Sequence, residues 1–171
     1  MSHTLETLNA LDRPAFTTAI GHVFEHSRWV ADEAWPGRPF RDAAHLHAEL
    51  CRTMRAASRE RQLALLRAHP DLAGRMAQQR KLTAASTHEQ ASVGLDQLSE
   101  GEQANFQRLN DAYRARFGFP FIICARLNAK EAIVSAMQTR MGNSPDIEFR
   151  QALVEVEKIA WLRLKDLLKG G

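Results

Sequence analysis

At 171 residues and 19.3 kDa, the chain has room for one domain with a real core and not for two, at about 150 residues per domain. Apolar residues make up 44% and charged residues 25%, with 9 Gly and 6 Pro spread along the chain, which argues against disorder, collagen-like repeats and low-complexity scaffolds. The net charge of +3 comes from 23 basic and 20 acidic residues, so the surface is mixed. Nucleic-acid binding, which needs a basic stripe or patch, is disfavoured.

No run reaches the roughly 18 consecutive apolar residues of a membrane span. The opening M-S-H-T-L-E-T-L-N-A-L-D-R-P has neither a basic start nor an apolar core. The expectation is a protein that is neither exported through a signal peptide nor inserted in a membrane. Cys51 and Cys124 are far apart and match no disulfide framework or zinc spacing, which suits a reducing cytoplasm. The closing K-D-L-L-K-G-G is not a peroxisomal address.

In chain order, Asp12 caps a helix with Pro14 in its first turn and Phe16, Ile20, Val23 and Phe24 on one side. After a break near Ser27, that serine is expected to cap a short helix through Trp29, Val30 and Trp35, ended by Pro36-Gly37-Arg38-Pro39. A third helix is predicted from Asp42 to Ala57. A fourth opens at Ser58 with Leu63, Leu65 and Leu66 as its apolar stripe, and Pro70 turns the chain at His69. Ser99 with Glu102 is a capping box; Phe106, Leu109, Tyr113 and Phe117 recur at helical steps, and Gly118 stops the helix. Phe119 to Ala125, F-P-F-I-I-C-A, reads as buried and extended. Asn128 with Glu131 is expected to open a helix through Met141, and Ser144-Pro145 the last one, through Leu168. The prediction is an all-α, single compact multi-helix domain over 1-171, with about seven helices.

Four stretches carry groups capable of chemistry. His22-Val23-Phe24-Glu25-His26 matches the H-x-x-E-H zinc pattern, with three fixed positions and no evident third ligand, so a solvated or hydrogen-bonded helix end is the preferred reading. His45 and His47, two residues apart, point in different directions on a helix and read as surface groups. In R-A-H-P-D-L-A-G, proline forces the backbone at His69 out of helical geometry, which can project the imidazole for proton transfer or leave it as a helix-end dipole partner. In S-T-H-E-Q, Ser86 and Glu89 stand in capping-box relation, a purely structural account of both. The apolar run to Ala125 either packs in the core or lines a pocket for a flat polar ring. Cys124 lacks the surroundings of a nucleophile, and no G-x-S-x-G, phosphate loop or dinucleotide fingerprint occurs.

Taken in order, F-E-H-S-x-W-V-A, R-P-F, H-P-D-L-A-G, S-x-x-E-Q, G-L-D, L-N-x-A-Y-x-x-R-F-G-F-P-F-I-I-C-A-R and E-V-x-K-I-A-x-L-R-L-x-D-L resemble the 2-oxo-4-hydroxy-4-carboxy-5-ureidoimidazoline (OHCU) decarboxylase family of urate breakdown, from about Phe16 to Leu167. Arg28, where proline is common, and Val93, where alanine is common, depart from that pattern. The resemblance implies an all-helical, cofactor-independent, usually dimeric enzyme that converts OHCU to (S)-allantoin and uses no metal. It implies catalytic roles for His69 and Glu89. Substrate contacts are implied at Pro70, Ser86, Gln90 and the segment Phe121, Ile122, Ile123, Cys124 and Ala125, whose backbone N–H groups would hold ring or ureido carbonyls. The substrate carboxylate falls to Arg163, with Arg140 as the alternate. An ordinary glutamate is ionised at neutral pH, so Glu89 enters this scheme as a base or an orienting group unless burial or the bound carboxylate protonates it. The competing readings are a non-catalytic helical interaction module and a zinc hydrolase built on His22, Glu25 and His26.

Overall fold

The computed structural model describes residues 2–74 and 81–168. The last three residues of K-D-L-L-K-G-G lie outside that range. Among the described residues the chain is all-α, with the single isolated β-bridge His3–Leu168. Among the described residues no helix is long and apolar enough to cross a membrane. The helices are α1 (Leu5–Ala10), α2 (Arg13–Ile20), α3 (Trp29–Ala34), α4 (Ala43–Ala56), α5 (Arg59–Arg67), α6 (Ala84–Ala91), α7 (Glu100–Phe117), α8 (Lys130–Arg140) and α9 (Pro145–Leu167). They group into two compact units, Met1–Ala68 with Glu157–Gly171, and His69–Val156.

In the first unit, α2, α3 and α4 pack together around Phe16, Ile20, Val30, Leu46, Leu50 and Met54, all buried. The predicted caps form at three places: Asp12, Asp42 and Ser58 accept from the backbone N–H groups of Ala15, His45 and Arg61. Each thereby satisfies one of the donors a helix start leaves unpaired. Ser27 does not cap α3. Its hydroxyl donates to the Glu25 carbonyl at 2.9 Å, and Arg28 occupies the cap position without a side-chain bond. The six-residue α1, which the helix reading passed over, stands on a reciprocal Thr4–Thr7 capping box.

The second unit is built on α7. Its start is the predicted Ser99–Glu102 capping box, and its end is Gly118 at φ +78°, a left-handed turn that glycine adopts without the Cβ penalty. Tyr113, wholly buried, meets Phe121 edge-on at 5.3 Å and Phe119 at 6.0 Å, and Phe119 meets Phe149 of α9 at 6.2 Å. Phe121 to Cys124 is buried, as the apolar run predicted, and lies in no helix or strand, with Cys124 itself in extended geometry before the turn at Ala125–Leu127. Asn128 does not cap α8: Ala129 holds that position, and the Asn128 amide reaches back to the Cys124 carbonyl at 2.9 Å. With α1 and α6 added, the described residues hold nine α-helices where the periodicity predicted about seven.

Candidate functional site

His69 opens the second unit in a bend directly after α5, with Pro70 following, and its residue surface is 6% exposed. The backbone beyond it is tied down by side chains. Asn110 donates to the Leu72 carbonyl at 2.8 Å, and Gln103 to the Ala73 carbonyl. Arg114 pairs with the Asp71 carboxylate at 2.8 Å. The Gln90 amide does two jobs, accepting from the Ala73 N–H at 2.9 Å and donating to the Asp71 carbonyl at 3.3 Å. Gln90, predicted to face substrate, therefore also joins α6 to the histidine loop.

The capping-box account of Ser86 and Glu89 does not hold. Thr83 is the N-cap of α6 and accepts from the Ser86 N–H at 3.2 Å. Ser86 and Glu89 thus lie inside the helix, Glu89 on its second turn and half-buried. The helix cap does not explain why a glutamate stands there. α6 packs against the Ala125–Leu127 turn. The Cys124 thiol is pushed up first by burial and then by the carboxylates of Glu155 and Glu89, which places Glu89 in electrostatic reach of the Phe121–Cys124 segment. The structure therefore brings together the His69 loop, Gln90, Glu89 and the segment ending at Ala125 within one unit.

A non-helical segment inside an all-helical unit has no sheet to satisfy its backbone, and here the side chains of Arg140 and Glu155 take that part. Arg140 donates to the Ile122 carbonyl at 2.8 Å and lies 4.3 Å over the Phe121 ring. Glu155, buried, accepts from the Cys124 N–H at 3.0 Å and is braced by Gln151 at 3.0 Å. Arg140 is also paired with Glu148, which accepts from Tyr113 and, at 3.0 Å, from Asn143. The Cys124 N–H, one of the donors expected to hold substrate, is thus already engaged. So is the guanidinium of Arg140, except for a buried Nη2 with no hydrogen-bond partner. None of these clamping residues was singled out for this part: nothing in the local sequence sets Glu148 and Glu155 apart, and their burial is visible only in the fold.

Arg163 belongs to the other unit. There its guanidinium donates to the His22 carbonyl at 3.2 Å and stands 3.5 Å from the Glu25 carboxylate, both side chains buried. Glu25 is therefore an ion-pair partner, and the H-x-x-E-H stretch forms a short 3-10 turn at Gly21–Val23 with His26 at φ +48° rather than a regular helix. No cluster of three metal-ligating side chains occurs among the described residues. His47 is not a surface group but half-buried, bonded to the Glu157 carbonyl at 2.8 Å and 3.3 Å from the Cys51 sulfur. Burial, reinforced by Glu157, pushes the Cys51 thiol up to about 12, so this cysteine–histidine contact yields no nucleophile at neutral pH.

Residues 9–165 match the family described as OHCU decarboxylase. The 2-oxo-4-hydroxy-4-carboxy-5-ureidoimidazoline decarboxylase of Haloferax volcanii is 47% identical over 163 residues, 95% of each chain. Among solved structures, an (S)-allantoin synthase superposes with a TM-score of 0.78 at 29% identity, covering 97% of this chain and 54% of that one, so this chain spans about half of its length. An OHCU decarboxylase crystallised in the presence of (S)-allantoin superposes at 0.69 with 20% identity, over 92% of this chain and 98% of that one, a likeness of fold. A full-length match of this kind leaves one assignment: the chain belongs to the OHCU decarboxylase family.

Proposed function

We propose that this chain decarboxylates OHCU to (S)-allantoin in urate degradation, needing no metal or organic cofactor, and that it works in the cytoplasm as a homodimer. The observation that carries the reading is that Gln90, next to Glu89 on α6, bonds the loop after a buried His69, while α6 packs against the turn that ends the clamped Phe121–Cys124 segment. The 47% identity, over 95% of each chain, to a relative named as an OHCU decarboxylase supports it.

Breaking the bond to the carboxylate releases CO2 and leaves its electron pair on the ring, where the neighbouring unsaturation spreads it. One proton must then reach one face of the carbon that becomes the stereocentre. His69 bonds the hydroxyl and carboxylate region and promotes loss of CO2. Glu89 and Gln90 orient the ring, and Glu89 shares in proton delivery. A positioned acid or base is worth about 10²- to 10⁴-fold. His69→Asn is therefore expected to lower turnover at least about 10²-fold, roughly 2.7 kcal/mol of barrier.

The test generates OHCU in place from urate with uricase and hydroxyisourate hydrolase and follows optical activity by circular dichroism. Unaided decay gives racemic allantoin. Rapid appearance of the (S)-enantiomer, undiminished by a chelator, is the expected result; unchanged decay beside a folded protein points to the interaction-module reading instead.

A further inference from the structure

We propose that Asn110, together with Gln103 and Arg114 on the same face of α7, is a positioning residue for His69: the three side chains hold residues 71–73, two by their backbone carbonyls and one by the Asp71 carboxylate, and so set the reactive orientation of the imidazole. This rests on the decarboxylase reading above, in which His69 meets the substrate.

The loop makes a short turn at residues 72–73, and side chains supply the rest of its anchoring. Ala73 stands at φ +52°, in the left-handed region that a residue with a Cβ occupies at a cost of about 1–2 kcal/mol and keeps only where its surroundings dictate it. Those surroundings are side chains. Asn110 takes the Leu72 carbonyl, Gln103 the Ala73 carbonyl and Arg114 the Asp71 carboxylate. Positions 103, 110 and 114 differ by seven and four, so they line one stripe of the helix.

Asn110 is the most telling of the three. It is 0% exposed, among the apolar residues Phe106, Leu109 and Tyr113, and its Oδ1 has no hydrogen-bond partner. A buried amide left half unsatisfied is a standing cost that an apolar residue at this position would avoid. Its one bond, to the Leu72 carbonyl, is what the position obtains in return. Because Pro70 has a fixed φ, anchoring Asp71, Leu72 and Ala73 leaves few torsions through which His69 can move. A displacement of about 1 Å at a reacting group can cost 10²-fold in rate.

Asn110→Asp keeps the size of the side chain and replaces the donor by an acceptor facing the Leu72 carbonyl oxygen. Gln103→Glu makes the same exchange at Ala73 on a half-exposed position, where folding is less at risk. For Asn110→Asp, kcat per folded molecule is expected to fall between about tenfold and 10²-fold with KM within about twofold; for Gln103→Glu the fall is smaller. The His69 ring resonances, identified by their absence in His69→Asn, are expected to move in both variants. A merely structural role would lower the folded fraction and leave kcat per folded molecule and the His69 resonances unchanged, which overturns the proposal. If Asn110→Asp does not fold, Gln103→Glu and Arg114→Gln decide alone, and wild-type kcat in both overturns it equally. A wild-type protein that makes no excess of (S)-allantoin sinks the decarboxylase reading instead, while the His69 resonances still report whether α7 sets the imidazole.

Discussion

Proximity to a histidine ordinarily activates a cysteine, yet Cys51 shows the opposite because burial and the Glu157 carboxylate both disfavour the thiolate. Cys124 is pushed the same way by burial and two carboxylates. Neither thiol is therefore expected to react with Ellman's reagent at pH 8 in the native protein, and both are expected to react once it is unfolded in guanidinium; a native stoichiometry of one would contradict the burial argument. The residues around Cys124 already argued against a nucleophile, whereas nothing in residue identity did so for Cys51. Ser86 and Glu89 teach a related lesson. Their spacing fits a capping box, but Thr83, three residues before Ser86, offers the same hydroxyl and takes the cap. Which of two competent residues caps a helix depends on where the chain enters it, and that is a property of the surrounding fold.

At the scale of elements, the Phe121–Cys124 segment and the helices that clamp it form the unit most sensitive to substitution. Glu148 accepts from Tyr113, Arg140 and Asn143 with no exposed surface. Removing one member of a buried ion pair strands the other charge, at a cost of about 3–5 kcal/mol. Glu148→Ala is expected to destabilise by that amount in urea titration, whereas Tyr113→Phe, which deletes one hydrogen bond and keeps the ring packing, is expected to cost about 1–2 kcal/mol. The caps of α7 lie on the surface and act locally. Ser99→Ala is expected to cost about 1 kcal/mol, and Gly118→Ala, at a positive φ, a comparable amount; a Gly118→Ala protein as stable as wild type would contradict the left-handed turn.

For the molecule as a whole, the pH dependence follows from its exposed ion pairs. Hydrogen bonds from Arg13, Arg52 and Lys130 hold the carboxyls of Asp32, Glu49 and Glu102 below the usual range. A carboxyl lowered in the folded state contributes stability above its ordinary value and loses it as pH falls through that range, here around pH 4. These groups are exposed, so each contribution is small and screened by salt. The melting temperature is expected to decline on acidification below about pH 5, and added salt is expected to flatten the decline; a decline that salt leaves unchanged would locate the sensitive groups in the buried pairs instead. Sedimentation at two protein concentrations tests the proposed dimer.

The helices with strong local signals were legible in the sequence. Caps at Asp12, Asp42, Ser58 and Ser99, the glycine stop at 118 and the proline after His69 act within a turn of their own position, so nearby residues suffice to read them. The ordered motifs likewise identified the family and singled out His69 and Glu89. The tertiary structure alone decided how the histidine loop is held, what satisfies the Phe121–Ala125 backbone and which glutamates are buried. Those facts depend on bonds such as Asn110 to Leu72 and Glu155 to Cys124, which join residues more than 30 positions apart. Local periodicity carries no information about such pairings. Burial then determines what each group can do, as the change of solvent gives an ordinary glutamate, asparagine or cysteine its particular character.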